Sequence, residues 1–340
     1  MDNTTGRRYI FFKIAGLFMA AIMLATVFPP LVKTADAAVP PGHNPYGAYS
    51  GEVFSAEISS TDSFTYLTFA TSERVTFSFR YVRESVSVTI HRASRLPRTV
   101  HIGENPLFTS GSWNGNTLTL ALTTIDGFMG YHGYYDHNGD IVVRFRNPPS
   151  SMEVARIAID PGHGGRDRGA EGFRRDMPEA VINQQIAHFL ADELRRRGAT
   201  VFVLDTSRGM ELTERVKQAE QFNADIFISI HCNASARNPA ARGTEVHFLM
   251  PFSQILAGTA SRNVATNLGT LNRGALQRGF VVLRSTQFVS ILVETGFMTN
   301  REEYEKLINP FYQQQVATGI ASAVEATIKH TYPGTGRVFR

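Results

Sequence analysis

Two histidines and a glutamate in the second half of the chain are residue types that bind metals or transfer protons, and each follows an apolar run. The runs are Ala155–Asp160 before His163, Ile226–Ile230 before His231, and Ser290–Val293 before Glu294. In an open α/β sheet, ligands bind beyond the carboxyl ends of the strands. If the three runs are strands of one sheet, we expect the three side chains to meet at one of its edges.

A metal held at this edge would be bound through imidazole and carboxylate groups. The chain has a single cysteine, Cys232, so neither an internal disulfide nor a thiolate cluster for structural zinc can form. A catalytic zinc needs three protein ligands and an open position, and two histidines with one carboxylate is an established combination. The third ligand is expected close to His163, where four carboxylates qualify: Asp167, Glu171, Asp176 and Glu179.

Glu179 is the best placed of these four carboxylates. Pro178 is predicted to be the first residue of a helix, so Glu179 would project from a defined first turn rather than from a loop. Glu294 is then left for catalysis, because a carboxylate beside the metal can take a proton from the attacking water and return it to the leaving group. Taken singly, Glu179 could merely complement a helix dipole, and His231 could be a hydrogen-bonded core residue. Taken jointly at one edge, the residues favour a metal site.

The elements that must position these residues alternate between apolar runs and helical patterns. The further apolar runs are Thr200–Leu204 and Glu245–Leu249, and the helical patterns cover roughly Pro178–Arg197, Leu212–Phe222, Gln254–Leu271 and Phe311–Lys329. Strands alternating with helices predict a mainly parallel sheet with helices on both faces. We therefore expect an α/β catalytic domain over residues 153–332, followed by a short tail over residues 333–340.

The first half of the chain has a different periodicity. Apolar and polar residues alternate in the segments Phe64–Phe69, Val75–Arg80, Val86–Ile90, Leu118–Leu122 and Ile141–Phe145. This period of two, with Asn-Gly turns at 114–115 and 138–139, predicts antiparallel strands and a small all-β domain over residues 38–147. The glycine- and aromatic-rich tract 127–139 favours a hairpin with aromatic cross-strand pairs over a carbohydrate-stacking loop. Residues 148–152 are expected to form a linker.

The first 37 residues are predicted to be a signal peptide. Basic residues precede an apolar run over residues 14–28, which is short for a membrane span of about 20 residues, and Ala35-Asp36-Ala37 fits a cleavage site. The alternative is an uncleaved N-terminal anchor, which Pro29-Pro30 disfavours because it ends the helix early. We therefore expect a secreted or cell-envelope protein outside the cytoplasmic membrane, with no stable membrane anchoring after cleavage.

Composition and charge exclude several other classes of protein. Hydrophobic residues make up 43% of the chain and charged residues 19%, which excludes wholesale disorder, collagen-like repeats and a polytopic membrane protein. A net charge of +4 could indicate a polyanionic partner. Residues 1–37 hold part of this excess, however, since Arg7, Arg8, Lys13 and Lys33 outnumber Asp2 and Asp36. No nucleic-acid partner is expected.

Three segments carry a family resemblance. Ile157–Ala170, Ile228–Ala234 and Leu292–Asn300 resemble, in sequence, order and spacing, the signature blocks of the zinc-dependent N-acetylmuramoyl-L-alanine amidases of the amidase_3 type. The segments Gly243–His247 and Leu212–Val216 are similar to weaker blocks of the same family. The resemblance covers roughly residues 156–328. It implies a hydrolase that cuts the amide between the lactyl group of muramic acid and the first L-alanine of the peptide stem.

The resemblance also implies the roles of the site residues. It places Zn²⁺ on His163, Glu179 and His231, makes Glu294 the catalytic glutamate, and names peptidoglycan as the substrate of a cell-wall autolysin. Two alternatives stay open: a zinc peptidase acting within the peptide stem, and a wall-binding relative with little or no activity.

Two details concern how the family pattern applies to this chain. Gln287–Ser290 stands where family members often carry a proline, which bears on the substrate groove. Between Leu249 and Phe280 there is room for one helix, so we expect no inserted helix of the kind that blocks the zinc in some relatives. The β-rich domain faintly resembles the wall-targeting domains that precede some amidases.

Overall fold

The computed structural model describes residues 51–332, which form an all-β part followed by an α/β part. The predicted signal peptide, residues 1–37, and the predicted tail, residues 333–340, lie outside the described residues. Within residues 51–332, no helix has both the length and the apolar character needed to span a lipid bilayer.

Nine strands form the all-β part, and they confirm the all-β prediction. They are β1 (Val53–Ser60), β2 (Phe64–Thr71), β3 (Thr76–Val82), β4 (Ser85–His91), β5 (His101–Ile102), β6 (Phe108–Asn114), β7 (Thr117–Leu122), β8 (Tyr131–Tyr135) and β9 (Ile141–Arg146). One sheet has the strand order β5-β1-β2-β9-β8 and the other has the order β3-β4-β7-β6. Alternate side chains point between the sheets, where Phe79 lies 5.9 Å from Phe145, centroid to centroid.

The tract 127–139 forms a hairpin rather than an open loop. Its second half contains β8, which pairs antiparallel with β9 across the Asn138-Gly139 turn. Gly139 has φ +89°, a left-handed conformation that this turn requires and that glycine adopts without strain. Phe128 and Met129 are fully buried in the core. The hairpin interpretation of this tract is confirmed.

The α/β part contains one sheet of six strands and five α-helices. They are β10 (Arg156–Pro161), α1 (Glu179–Arg196), β11 (Thr200–Val203), α2 (Leu212–Gln221), β12 (Ile226–Asn233), β13 (Thr244–Phe248), α3 (Gln254–Leu268), β14 (Asn272–Gln277), β15 (Val289–Phe297), α4 (Arg301–Leu307) and α5 (Pro310–Thr331). The strand order is β11-β10-β12-β15-β13-β14, and all neighbours are parallel except β13 and β15.

Helices cover both faces of this sheet, as predicted. Helices α1, α3 and α5 pack together on one face, and α2 lies on the other face with the short 3₁₀ helix Val281–Leu283. The central strands β10, β12 and β15 are apolar and buried because they are covered from both sides. The predicted mainly parallel α/β sheet is therefore confirmed.

Several element boundaries differ from the prediction. Strands β12 and β15 continue to Asn233 and Phe297, so His231 and Glu294 lie inside these strands near their carboxyl ends rather than after them. Helix α1 begins at Glu179, and Pro178 is the extended residue before it. Strand β14 is a polar edge strand and α4 has seven residues, so neither produces a hydrophobic period long enough to be recognised.

The all-β part packs against the amino-terminal end of the α/β sheet. Arg146, at the end of β9, donates from Nη1 to Asp225 Oδ1 (2.8 Å) and from Nε to the carbonyl of Gln287 (3.0 Å). The side chains of Arg146 and Asp225 are only 5% and 9% exposed. Asp225 Oδ2 accepts from the amide of Arg156 (2.8 Å), and its carbonyl accepts from the amide of Val289 (3.2 Å). This ion pair thus joins the all-β part to the starts of β10, β12 and β15.

Candidate metal centre and active site

His163, Glu179 and His231 come together at the carboxyl end of β10 and β12. Glu179 Oε1 lies 3.1 Å from His163 Nε2 and 3.0 Å from His231 Nδ1. One ligand atom from each residue lies within 4.8 Å of the others, and no second group of this kind occurs in residues 51–332. Two imidazole nitrogens and a carboxylate oxygen are donors that suit Zn²⁺, so the residues present fit a zinc site.

The electrostatics of the three residues also suit a cation. Burial opposes ionisation of Glu179, but hydrogen bonds from His163 and His231 outweigh it and hold the pKa of Glu179 far below its usual range. Burial disfavours the charged form of His163, yet its hydrogen bonds to Glu179 and Asp167 raise its pKa to about 9. The pKa of His231 is raised against burial by the same carboxylate. Glu179 is therefore ionised, and its negative charge favours a positive charge on or beside both histidines.

Left-handed backbone places His163 at the site. His163, Gly164 and Gly165 have φ values of +65°, +122° and +61° in succession, which turns the chain sharply after β10. A Cβ on Gly164 would lie 2.1 Å from the carbonyl oxygen of Thr206, so only glycine fits there. His163 is not a glycine, and its conformation must be held by neighbouring groups.

Arg215 holds this loop through its guanidinium group. From α2, its Nη1 donates to Asp160 Oδ1 (2.6 Å) and to the carbonyl of Pro161 (3.0 Å), and its Nη2 donates to the carbonyl of His163 itself (2.8 Å). Asp160 also accepts from the Ser229 hydroxyl of β12 (2.8 Å). The side chains of Arg215 and Asp160 are 5% and 1% exposed. This buried pair fixes the backbone of His163 relative to the strand that carries His231.

Backbone amides fix the carboxylate of Glu179. Its Oε1 accepts from the amide of Cys232 (3.0 Å) and its Oε2 from the amide of Ala170 (2.8 Å). Because Glu179 is the first residue of α1, its side chain is held at both oxygens before any metal binds. A carboxylate fixed in this way suits a metal ligand.

The other three candidate carboxylates, Asp167, Glu171 and Asp176, lie outside the His–Glu–His group. Asp167 Oδ2 contacts His163 Nδ1 (2.8 Å), the nitrogen that does not face Glu179, so it orients the histidine. Glu171 pairs with Arg168 and Asp176 with Arg174, all on the surface. The structure therefore gathers Glu179 with the two histidines, and leaves Glu171 and Asp176 outside the group.

Glu294 lies beside this group on the neighbouring strand. In the pairing of β12 with β15, Glu294 is directly opposite His231. Its Oε2 is buried and has no hydrogen-bond partner among residues 51–332. Burial, reinforced by the charges of Glu179 and Glu245 and only partly offset by His231, raises the pKa of Glu294 to about 7. A carboxyl group with this pKa can both accept and donate a proton near neutral pH.

Two polar residues near Glu294 were missed in the sequence. Glu245 on β13 is directly opposite Glu294 on β15, and Arg273 on β14 donates from Nε to Glu245 Oε2 (2.6 Å). Glu245 lies within Gly243–His247, a segment that the sequence marks only through its family resemblance. The strand alternation of that segment would have placed Glu245 and His247 on one face. Nothing in the sequence indicated that the polar segment containing Arg273 is a strand.

The thiol of Cys232 takes no part in this chemistry. Its thiol is buried between Asn183 Oδ1 (3.5 Å) and Thr295 Oγ1 (3.2 Å). Burial raises its pKa well above the usual range, so the thiol is neutral and unreactive.

A mixed α/β sheet with a His–Glu–His group and a half-buried glutamate near its carboxyl edge is an arrangement suited to a hydrolytic enzyme. The family model described as N-acetylmuramoyl-L-alanine amidase (Amidase_3) matches residues 157–326. The chain belongs to this family, and the resemblance noted in its sequence is confirmed.

Individual relatives support the same assignment. The chain is 33% identical over 180 residues to the uncharacterized protein YqiI of Bacillus subtilis, covering 52% of this chain and 85% of that protein. It is 35% identical over 169 residues to the N-acetylmuramoyl-L-alanine amidase LytC of the same species. That match covers 48% of this chain but only 34% of LytC.

A solved structure has the same fold. The crystal structure of an N-acetylmuramoyl-L-alanine amidase from Clostridium difficile 630 matches with a TM-score of 0.50 and 34% identity. The match covers 52% of this chain and 98% of that chain.

Proposed function

We propose that the protein is an exported, zinc-dependent amidase that hydrolyses the bond between N-acetylmuramic acid and L-alanine in peptidoglycan. The observation that carries this proposal is the convergence of His163, Glu179 and His231 with Glu294 opposite, in a chain that belongs to the amidase family. All four residues that this proposal requires are present, which favours it over an inactive wall-binding relative.

The side chains have separate tasks in this proposal. His163, Glu179 and His231 would hold the zinc, and Asp167 keeps His163 oriented through its Nδ1. When bound, zinc polarises the amide carbonyl and favours deprotonation of water. Glu294 takes a proton from the attacking water at its carboxylate and delivers it to the departing alanine nitrogen. A pKa of about 7 lets Glu294 do both near neutral pH.

Export rests on the amino-terminal sequence. The basic residues, the short apolar run and Ala35-Asp36-Ala37 support a cleaved signal peptide, and peptidoglycan lies outside the cytoplasmic membrane. Amino-terminal sequencing of the protein recovered from the cell envelope is expected to begin at Ala38. Recovery of chains that retain Met1 would contradict cleavage.

Direct activity is proposed because α3 does not cover the site. It is the one α-helix between Leu249 and Phe280, and it packs on the opposite face of the sheet beside α5. The purified chain without its first 37 residues should digest cell walls with no added activator. A requirement for a second protein would show that something else covers the site.

The bond that is cut can be identified directly. Purified walls are digested with the mature chain and the products are analysed by mass spectrometry and amino-terminal labelling. We expect new L-alanine amino termini and intact glycan strands. New termini within the stem would indicate the peptidase alternative, and absence of any product with zinc bound would indicate a wall-binding relative.

A further inference from the structure

A row of polar residues leads from the proposed zinc site across the sheet. His231 on β12 is paired with Glu294 on β15, Glu294 with Glu245 on β13, and Glu245 with Gly274 on β14. Side chains at directly paired positions share one face of a sheet, so His231, Glu294 and Glu245 line the same surface. Arg273 on β14 lies at the far end of this row, where it contacts Glu245.

The guanidinium group of Arg273 is held through Nε, whereas Nη1 and Nη2 have no partner in the part of the chain that the structure describes. Its Nε donates to Glu245 Oε2 (2.6 Å), and its Cζ lies 5.2 Å from the ring centroid of Phe297. A Cβ on Gly243 would lie 3.0 Å from Arg273 Cγ, so the stem of the side chain packs closely against the backbone there. The two terminal nitrogens have no hydrogen-bond or ion-pair partner within residues 51–332, and the side chain is 38% exposed.

Both carboxylate oxygens of Glu245 have polar contacts, and one of these contacts holds Arg273. Its Oε1 accepts from Asn233 Nδ2 (3.0 Å) and lies 3.4 Å from His247 Nε2. Burial raises the pKa of Glu245, but the hydrogen bonds from His247 and Arg273 outweigh this and lower its pKa to about 2. The carboxylate therefore stays ionised and fixes the Nε edge of Arg273. The remaining edge presents paired N–H donors in the geometry that a carboxylate accepts.

We propose that Arg273 determines specificity by binding a carboxylate of the peptide stem on the alanine side of the scissile amide. The inference rests on the proposed function and adds a recognition element to it. The glycan strand of peptidoglycan consists of uncharged N-acetylated sugars, whereas the peptide stem carries free carboxylates. The stem is therefore the part of the substrate that an arginine recognises.

The distance from the metal ligands suits this assignment. Neighbouring strands lie about 4.8 Å apart, so β14 lies roughly 14 Å from β12. An extended peptide advances about 3.3 Å per residue, which places a carboxylate two to four residues beyond the scissile bond within reach of Arg273.

The test combines a variant of the enzyme with a variant of the substrate. Muramoyl pentapeptide with free stem carboxylates is compared with the same compound in which they are converted to amides, using the wild type and Arg273→Gln. The wild type should prefer the free acid by about ten- to hundredfold in kcat/KM, mostly through KM, because a charge-assisted hydrogen bond is lost with the amide. Arg273→Gln should lose this preference, so the ratio of its kcat/KM values for the free and the amidated compound should fall to about one.

Two further variants separate recognition from structure. Arg273→Lys keeps the charge without the planar pair of donors, so an intermediate preference is expected. Arg156 also stacks on an aromatic ring, with its Cζ 4.3 Å from the Phe222 centroid, but at the opposite end of the sheet. Arg156→Gln should therefore keep the wild-type preference.

Each outcome bears on the inference. An equal loss on both substrates in Arg273→Gln would mean that the residue acts only through Glu245, and would overturn the inference. A wild type that hydrolyses both compounds equally would overturn it while leaving the proposed amidase function intact.

If the wild type hydrolysed neither compound, the proposed function would fail instead. Calorimetric binding of the free and amidated stem peptides would then still decide the inference, because this measurement needs no hydrolysis. Tighter binding of the free acid by the wild type but not by Arg273→Gln would support the inference. Equal binding of both peptides would overturn it.

Discussion

The two ends of the six-stranded sheet each contain a buried arginine–aspartate pair, and the two pairs serve different purposes. At the amino-terminal end, Arg146 and Asp225 join the all-β part to the starts of the central strands. At the carboxyl end, Arg215 and Asp160 hold the loop that carries His163. The same interaction thus fixes a domain junction in one place and a functional loop in the other.

The surroundings of the two pairs explain this difference. Around Asp225, both carboxylate oxygens and the backbone carbonyl accept hydrogen bonds, so no oxygen of this residue is left without a partner. Near Asp160, three successive residues have left-handed backbone and Glu294 Oε2 is buried without a partner in the described chain. Strain and unsatisfied polar atoms concentrate where a protein reacts with other molecules. The comparison therefore assigns stability to one end of the sheet and chemistry to the other.

The largest expected effect is at the carboxyl end, in Glu294→Gln. Removing the proton carrier should lower kcat by about 10³-fold, since a positioned acid–base group contributes roughly 10²–10⁴-fold. The fold and the proposed zinc site should survive because Glu294 is outside the His–Glu–His group. Turnover of purified muropeptides, with zinc content measured on the same sample, checks both statements. Wild-type turnover in this variant would refute the role of Glu294.

Arg215→Met should damage both stability and metal binding. Breaking a buried ion pair costs about 3–5 kcal/mol, because Asp160 is left charged and unpaired. The carbonyl of His163 also loses its donor, so zinc affinity should fall by about 10–100-fold, as for other groups that orient ligands. Competition with a calibrated chelator measures the affinity at a temperature where the variant is folded. Unchanged zinc affinity would mean that the loop carrying His163 keeps its conformation without Arg215.

Arg146→Met is the matched change at the amino end. It also breaks a buried pair and should cost about 3–5 kcal/mol in the free energy of unfolding. Zinc affinity of the folded variant should nevertheless equal that of the wild type, because the contacts of Arg146 with Asn223, Asp225 and Gln287 all lie at the amino-terminal end of the sheet. Denaturant unfolding and the same chelator competition compare the two variants. A loss of zinc affinity as large as that of Arg215→Met would contradict the separate roles of the amino and carboxyl ends of the sheet.

A smaller effect is expected from the pH dependence of Glu245. Its folded pKa of about 2 lies below its ordinary value of 4.5, so its ionisation stabilises the fold above pH 4.5 and that stabilisation is lost as pH falls towards 2. At pH 6 the free energy of unfolding of metal-free wild type should exceed that of Glu245→Gln by about 1 kcal/mol, because solvent screens this carboxylate in part. The difference should narrow below pH 4.5. A difference that widens on acidification would contradict the assigned state of Glu245.

Apolar periodicity predicted much of the fold and of the site. The runs that became β10, β12 and β15 are apolar because both faces are covered, and this pattern is visible in the chain. The same runs located His163, His231 and Glu294, since polar residues near the carboxyl ends of such strands are few. The prediction of Glu179, and not Asp167, as the third metal ligand needed only the expectation that a helix starts at Pro178 or Glu179.

Other features have no local signature. The contact of Arg146 with Asp225 joins residues 79 positions apart and follows from how two sheets pack. Strand β14 is polar and lies at an edge, so it lacks the apolar alternation of a buried strand. Arg273 could therefore not be placed beside Glu245 from the sequence. Tertiary packing decides these features, and a pattern read along the chain does not record it.

The number of zinc ions bound per folded chain after dialysis against limiting zinc tests whether His163, Glu179 and His231 form a metal site. We expect about one zinc in the wild type, in Glu294→Gln and in Arg146→Met. We expect almost none in Glu179→Ala, where the carboxylate between the two histidines is removed. One zinc per chain in Glu179→Ala, or no zinc in the folded wild type, would contradict the assignment of chemistry to the carboxyl end of the sheet.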